Sequence, residues 1–87
     1  MKYRVAFSMQ TIGALKELDR HTASIILRWV RNYLEGSEDP RQHGKWLAVN
    51  GRKGWRYSIG KYRLLAEIRD EEAAVLLVWL GKTEDSQ

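Results

Sequence analysis

No cysteine occurs in the 87-residue sequence, and proline appears once, at Pro40. Without cysteine there is no disulfide and no thiolate metal site. A chain this short buries only about 60–65% of its unfolded surface. It must therefore form one small domain with dense secondary structure and short loops, expected over residues 1–81 with a polar tail at 82–87. No apolar run approaches the ~20 residues of a membrane span, so no membrane partner is expected. The opening residues carry no signal-peptide pattern, and the missing cysteine fits a reducing cytoplasm, the expected location.

A third absence is local. Residues 41–66 contain no Asp or Glu but seven cations: Arg41, Lys45, Arg52, Lys53, Arg56, Lys61 and Arg63. The flanking parts are nearly neutral (residues 1–40) and acidic (residues 67–87), so the formal net charge of +4 conceals a strongly cationic middle. Trp46, Trp55, Tyr57 and Tyr62 lie inside it. Cations interleaved with aromatics suit a single-stranded nucleic acid, because the cations meet phosphates and the ring faces stack on bases. The plainer alternative is a solvated cationic sheet face with its aromatics in the core.

The pattern along the chain gives an element order. Tyr3 to Phe7 reads as a short strand. Ser8 can cap a helix running to about Leu18, with Ile12, Leu15 and Leu18 as a narrow apolar stripe. Asp19 or Thr22 can start a second helix whose wide apolar face comprises Ile25, Ile26, Trp29, Val30, Tyr33 and Leu34, with Gly36 as its stop. After Pro40 the period changes to two. Lys45–Val49 is a candidate strand, with Asn50-Gly51 and Gly54 marking a turn. Trp55–Ile59 alternates, Gly60-Lys61 fits a two-residue hairpin, and Tyr62–Arg69 returns. Asp70–Glu72 turns again, and Ala73–Leu80 reads as a strand covered on both faces. The expected fold is α+β, of order β-α-α-β-β-β-β, with a helical hairpin on one face of a small, mostly antiparallel sheet. Strand parity then sends Tyr57 and Ile59 toward the helices and gathers Arg56, Ser58 and Arg63 on the open face.

Three strings carry a resemblance: Leu18-Asp19-Arg20-His21-Thr22, Asp39-Pro40-Arg41-Gln42-His43-Gly44-Lys45, and Trp55-Arg56-Tyr57-Ser58-Ile59-Gly60-Lys61-Tyr62-Arg63-Leu64. Together they resemble the RelE/ParE superfamily of bacterial toxins, nearest its RelE branch, over Tyr3 to Gly81. The resemblance implies the toxin of a type II toxin–antitoxin system that cuts messenger RNA on the translating ribosome. The implied partners are the ribosome, mRNA and a cognate antitoxin, small and acidic or DNA-binding, held with the toxin in a hetero-oligomer. No cofactor is implied. By position, Arg56, Arg63 and Lys82 match the catalytic cations, and Arg41, Lys45, Arg52, Lys53 and Lys61 are the expected RNA contacts. The chain departs from its relatives at Ser58 and Thr83, where they carry cations, and it lacks their C-terminal Tyr. These departures imply reduced cleavage and keep two alternatives in play: a RelE-like protein that binds antitoxin or ribosome without cutting, and a ParE-like inhibitor of DNA gyrase.

Cleavage by 2′-hydroxyl attack needs a base, cations for the phosphorane charge, and an acid for the leaving 5′-oxygen. Arg56 and Arg63 suit the second role, since a guanidinium binds phosphate bidentately and stays charged. The proton carriers available to the cationic region are His43, Lys45, Lys53, Lys61, Lys82, Tyr57 and Tyr62. His43 and His21 are each read first as structural or solvated, and the sequence offers no spacing of metal ligands. Trp29 and Trp55 are assigned to the core, and Trp46 is the candidate for an exposed ring.

Overall fold

The computed structural model describes residues 1–49 and 51–83. Its elements are β1 (Arg4–Phe7), α1 (Met9–Glu17), α2 (Arg20–Tyr33), β2 (Lys45–Val49), β3 (Arg52–Ile59), β4 (Tyr62–Arg69), a 3-10 turn (Asp70–Glu72) and β5 (Ala74–Lys82). The expected α+β order holds. The strands form one sheet of order β1-β5-β4-β3-β2, parallel only between β1 and β5.

Both helices start where a side chain can accept an orphan backbone N–H. Ser8 Oγ accepts from Thr11 N at 3.1 Å, and Asp19 Oδ2 from Thr22 N at 3.0 Å. Leu18 and Asp19 alone separate the helices. On α2 and its C-cap the buried stripe is Ile26, Val30 and Leu34, narrower than its sequence suggests. Ile25 and Tyr33 stay 40% and 43% exposed because they flank the line of contact with the sheet. Trp29 is half-buried, its ring 5.5 Å from that of Tyr57. The core lies between this stripe and Tyr57, Leu64, Ala66, Val75, Leu77 and Leu80 from one sheet face. Thr11 is buried as well, satisfied by donating its hydroxyl to Leu77 O at 2.9 Å.

Three sequence assignments change. Gly54 lies within β3, paired with Leu47, so the turn is confined to the residues before Arg52; Asn50 lies outside the described residues. β5 is covered on one face only. Its register against β4 slips at Leu65/Ala66, where Trp79 pairs with Leu65 but Leu77 with Ala66, leaving Val78 as an extra residue. Such a bulge reverses the alternation. Leu77 and Leu80 therefore both face the helices although three residues apart, and Trp79 turns to the open side, 39% exposed. The expected tail begins inside β5, since Lys82 is its last residue, and residues 84–87 lie outside the described part.

Candidate nucleic-acid interface

The open sheet face is built by register. Lys45, Arg56, Leu65 and Trp79 form one row across β2, β3, β4 and β5, and Ser58, Arg63 and Gly81 form the next. Arg56 and Arg63 are therefore diagonal neighbours, about 7–8 Å apart in a regular ladder. The Trp79 indole lies along its own strand over Gly81, where any side chain would collide with the ring: a Cβ there would sit 2.1 Å from it. Glycine at 81, the cross-strand partner of Arg63, thus leaves room for the ring.

The two arginines differ in restraint. Arg63 Nη1 donates to Gly60 O and Tyr62 O, both at 2.9 Å, which turns its guanidinium toward the β3–β4 hairpin. Gly60 allows that hairpin by taking φ 58°. Arg56 is half-buried, and its Nε has no acceptor within reach. A buried charged donor without a partner costs free energy until a ligand supplies one. Among the described residues, the ion pairs are Arg41–Asp70 and Arg69–Glu67, so neither Arg56 nor Arg63 is neutralised by a carboxylate.

The structure divides the expected site residues. Arg56 and Arg63 share the open face, and Lys45 and Arg52 have its parity. Lys61 sits in the hairpin turn, exposed. Lys82 is separated from the other expected catalytic cations. It pairs with Tyr62, which pairs with the buried Ile59, so alternation assigns it to the helix-facing side. Thr83 follows on the ladder, donating its N–H to Lys61 O at 2.8 Å, and takes the open-face parity without a charge. Arg41 and Lys53 lie on the helix-facing side, at the end of the sheet away from Gly60.

The removal of Arg41 from the open face has a clear cause. Residues 40–44 are clamped against β3 by the aromatics of the Trp-Arg-Tyr string. Tyr57 donates its hydroxyl to Pro40 O at 2.5 Å, and Trp55 Nε1 donates to Arg41 O at 3.0 Å. Gly44 lies so close to Trp55 that a Cβ would come within 2.4 Å of the ring. Arg41 then reaches over Trp55, 5.8 Å from its ring, and binds Asp70 bidentately at 3.0 Å twice. Tyr3 adds a hydrogen bond to the same carboxylate at 2.6 Å. The Arg41 and Tyr3 hydrogen bonds hold the Asp70 carboxyl below its usual range. The shared carboxylate and partial burial raise Tyr3 in turn. Much of the motif that carries the resemblance is therefore architectural.

The set of proton carriers also shrinks. Burial pushes the Tyr57 phenol far up, and its proton is committed to Pro40 O, so it transfers none. His43 packs against Tyr33, the ring centroids 4.8 Å apart and the planes tilted by 60°, away from the open face. Tyr62 has the helix-facing parity. Two open-face residues escaped the sequence reading. Glu67, one position beyond the acid-free segment, alternates with Leu65 and Arg63 and brings a carboxylate to that face, paired with Arg69 at 3.2 Å. Trp79 brings an aromatic ring. Parity along β4 could have found Glu67; nothing local announces the bulge that exposes Trp79. Among the described residues, no group of three or more His, Asp or Glu could hold a metal ion, and no helix is long and apolar enough to cross a membrane.

The same architecture occurs in known toxins. The toxin–antitoxin complex RelBE2 of Mycobacterium tuberculosis contains a chain 23% identical, with a TM-score of 0.83 over 95% of this chain and 100% of that one. The archaeal RelE–RelB complex of Pyrococcus horikoshii gives 24% identity and a TM-score of 0.78, covering 99% and 100%. The isolated RelE toxin of E. coli gives 20% and 0.76, covering 98% and 88%. At these identities the likeness is one of fold. No curated protein matches the chain. Residues 5–86 match the family described as the ParE toxin of type II toxin–antitoxin systems. The superfamily read from the motifs is thus established, with both its branches among the matches. The chain belongs to the ParE toxin family, within the RelE/ParE superfamily of type II toxin–antitoxin systems.

Proposed function

We propose that this toxin acts on RNA at the translating ribosome, gripping a phosphodiester on its open sheet face and cleaving it slowly. The observation that carries this reading is the pair Arg56 and Arg63: diagonal neighbours, unpaired with any carboxylate among the described residues, one with an orphaned Nε. A phosphate between them would complete the Arg56 donor set and receive charge-assisted hydrogen bonds from both.

In the reaction, the 2′-oxygen attacks phosphorus and the P–O5′ bond breaks. The 2′-hydroxyl proton leaves to a base, and the departing 5′-oxygen takes up a proton. Arg56 and Arg63 stabilise the added phosphorane charge but, being permanently protonated, move no proton. Apart from arginines, Lys45 and Glu67 are the titratable groups of that parity among the described residues. With Ser58 and Thr83 where relatives carry cations, the charge stabilisation is incomplete. The ribosome would supply the missing orientation of the substrate. An antitoxin partner, consistent with the toxin–antitoxin complexes among the similar structures, would silence the toxin in the cytoplasm.

The ParE family match favours a second reading, gyrase inhibition. One paired experiment separates the two. Purified toxin is added to a translation reaction with cleavage-site mapping, and to a gyrase supercoiling assay. Cuts in ribosome-bound message, increased by Ser58→Arg combined with Thr83→Arg, are expected. Intact message together with blocked supercoiling would replace this reading by the second. Ribosome binding with intact message, even in the double variant, would leave a non-cleaving binder.

A further inference from the structure

On the opposite side from Arg56 and Arg63 lies a cleft of about 270 Å³ between Trp46, Lys53, Trp55, Arg41 and Asp70. We propose that this cleft is a second nucleotide site, seating a base of single-stranded RNA on the Trp46 ring with the adjoining phosphate on Lys53. The proposal rests on the reading that the toxin engages an RNA strand.

The walls of the cleft have distinct chemistry. Trp46 and Trp55 are directly opposite on β2 and β3, so their side chains leave the sheet together. Trp55 is occupied: Arg41 covers its ring, and its Nε1 donates to Arg41 O. Asp70 in turn takes up the charge of Arg41. Trp46 is left 56% exposed. Lys53 is exposed and belongs to neither ion pair of the described residues. Gly54 lines the cleft through its backbone. An aromatic face, a cation and a gap between them fit a base with its phosphate. An acidic peptide would use the cation but not the ring face.

The cleft also borders an edge of the sheet. β2 is an edge strand. Its successive residues Lys45 and Trp46 point to opposite sides, as do Arg52 and Lys53 on β3. Cations therefore lie on both sides of one edge, within a segment that has no acid. A strand bound at Arg56 passes Lys45 and Arg52, crosses that edge and meets Trp46 and Lys53.

The test is binding of the purified toxin to a short unstructured RNA, a uridine oligomer, followed by fluorescence at several salt concentrations. Trp46→Ala is expected to weaken binding at least about fivefold, the lower end of what one stacked base contributes, with an unchanged salt slope. Trp46→Phe keeps a ring and retains most of the affinity, which separates stacking from any disturbance of β2. Lys53→Ala lowers the logarithmic salt slope by about 0.7, one phosphate contact on a single strand. Arg56→Ala with Arg63→Ala weakens binding independently of both. If the Trp46 and Lys53 variants bind like the wild type while the arginine variant does not, the cleft is no RNA site and the open-face reading stands. If Trp46→Ala loses co-purification with antitoxin but not RNA affinity, the cleft belongs to a protein contact and the proposal falls. No binding of the free oligomer by the wild type overturns the cleft proposal, while the cleavage mapping on ribosomes decides the open-face reading separately.

Discussion

The two faces of the sheet are built from the same strands and treat their polar groups in opposite ways. Toward the helices, polar side chains in the interior are committed: Tyr57 to Pro40 O, Trp55 to Arg41 O, Thr11 to Leu77 O. On the open face Arg56 keeps an unpartnered Nε, Arg63 is held by backbone carbonyls alone, and Trp79 lies bare over Gly81. Partnered groups specify a fold; unpartnered charged groups are retained where a ligand completes them. The contrast locates the packed core on one side of the sheet and the paired, uncompensated arginines on the other.

Leu77→Ala should break the covered face most severely. Leu77 is fully buried between the helices and Ala66, and the cavity would cost about 2–5 kcal/mol, read as a lowered midpoint in denaturant unfolding. Arg56→Ala should act in the other direction of the comparison. Toxic activity should fall by about a hundredfold, as when one preorganised donor is removed. Folding stability should stay within about 0.5 kcal/mol, because no folded-state partner of Nε is lost. A large loss of stability in that variant would mean that the open face also holds the fold together.

The smallest effect concerns the clip of Asp70, Arg41 and Tyr3, which ties the end of β4 to the 40–44 loop and the chain before β1. Asp70 is lowered from 3.8, so its contribution is complete above that value and is lost as pH falls through the lowered one. Tyr3 is raised from 10.0, so its contribution is complete below that value and is lost as pH rises through the raised one. Stability should therefore sag at both extremes, modestly because the Arg41–Asp70 pair is solvent-accessible. Asp70→Asn should flatten both limbs in unfolding measured against pH. An unchanged profile would show that the loop is held by Trp55 and Tyr57 alone.

Much of this was legible in the chain. Ser8 and Asp19 cap the helices as their types suggest, the alternation of Trp55 to Ile59 places Arg56 opposite Tyr57, and Gly60 marks the hairpin. Those features are local: a cap needs three residues, and parity needs two. What the chain did not show depends on distant contacts. Arg41 belongs to an acid-free, cationic segment, yet it is taken by Asp70, 29 positions away.

The sequence by itself determined the superfamily, the order of elements and a cationic stretch whose parity gathers Arg56 and Arg63. Only the tertiary structure decided which cations stay on that face and which rings are bare. The Trp55 and Tyr57 hydrogen bonds carry Arg41 to the other side of the sheet. The register of β5 separates Lys82 from Arg63, and the bulge at Val78 brings Trp79 out beside it. The reason is physical: alternation is a property of one strand, whereas a register slip and an ion pair are properties of two segments that meet only when the chain has folded.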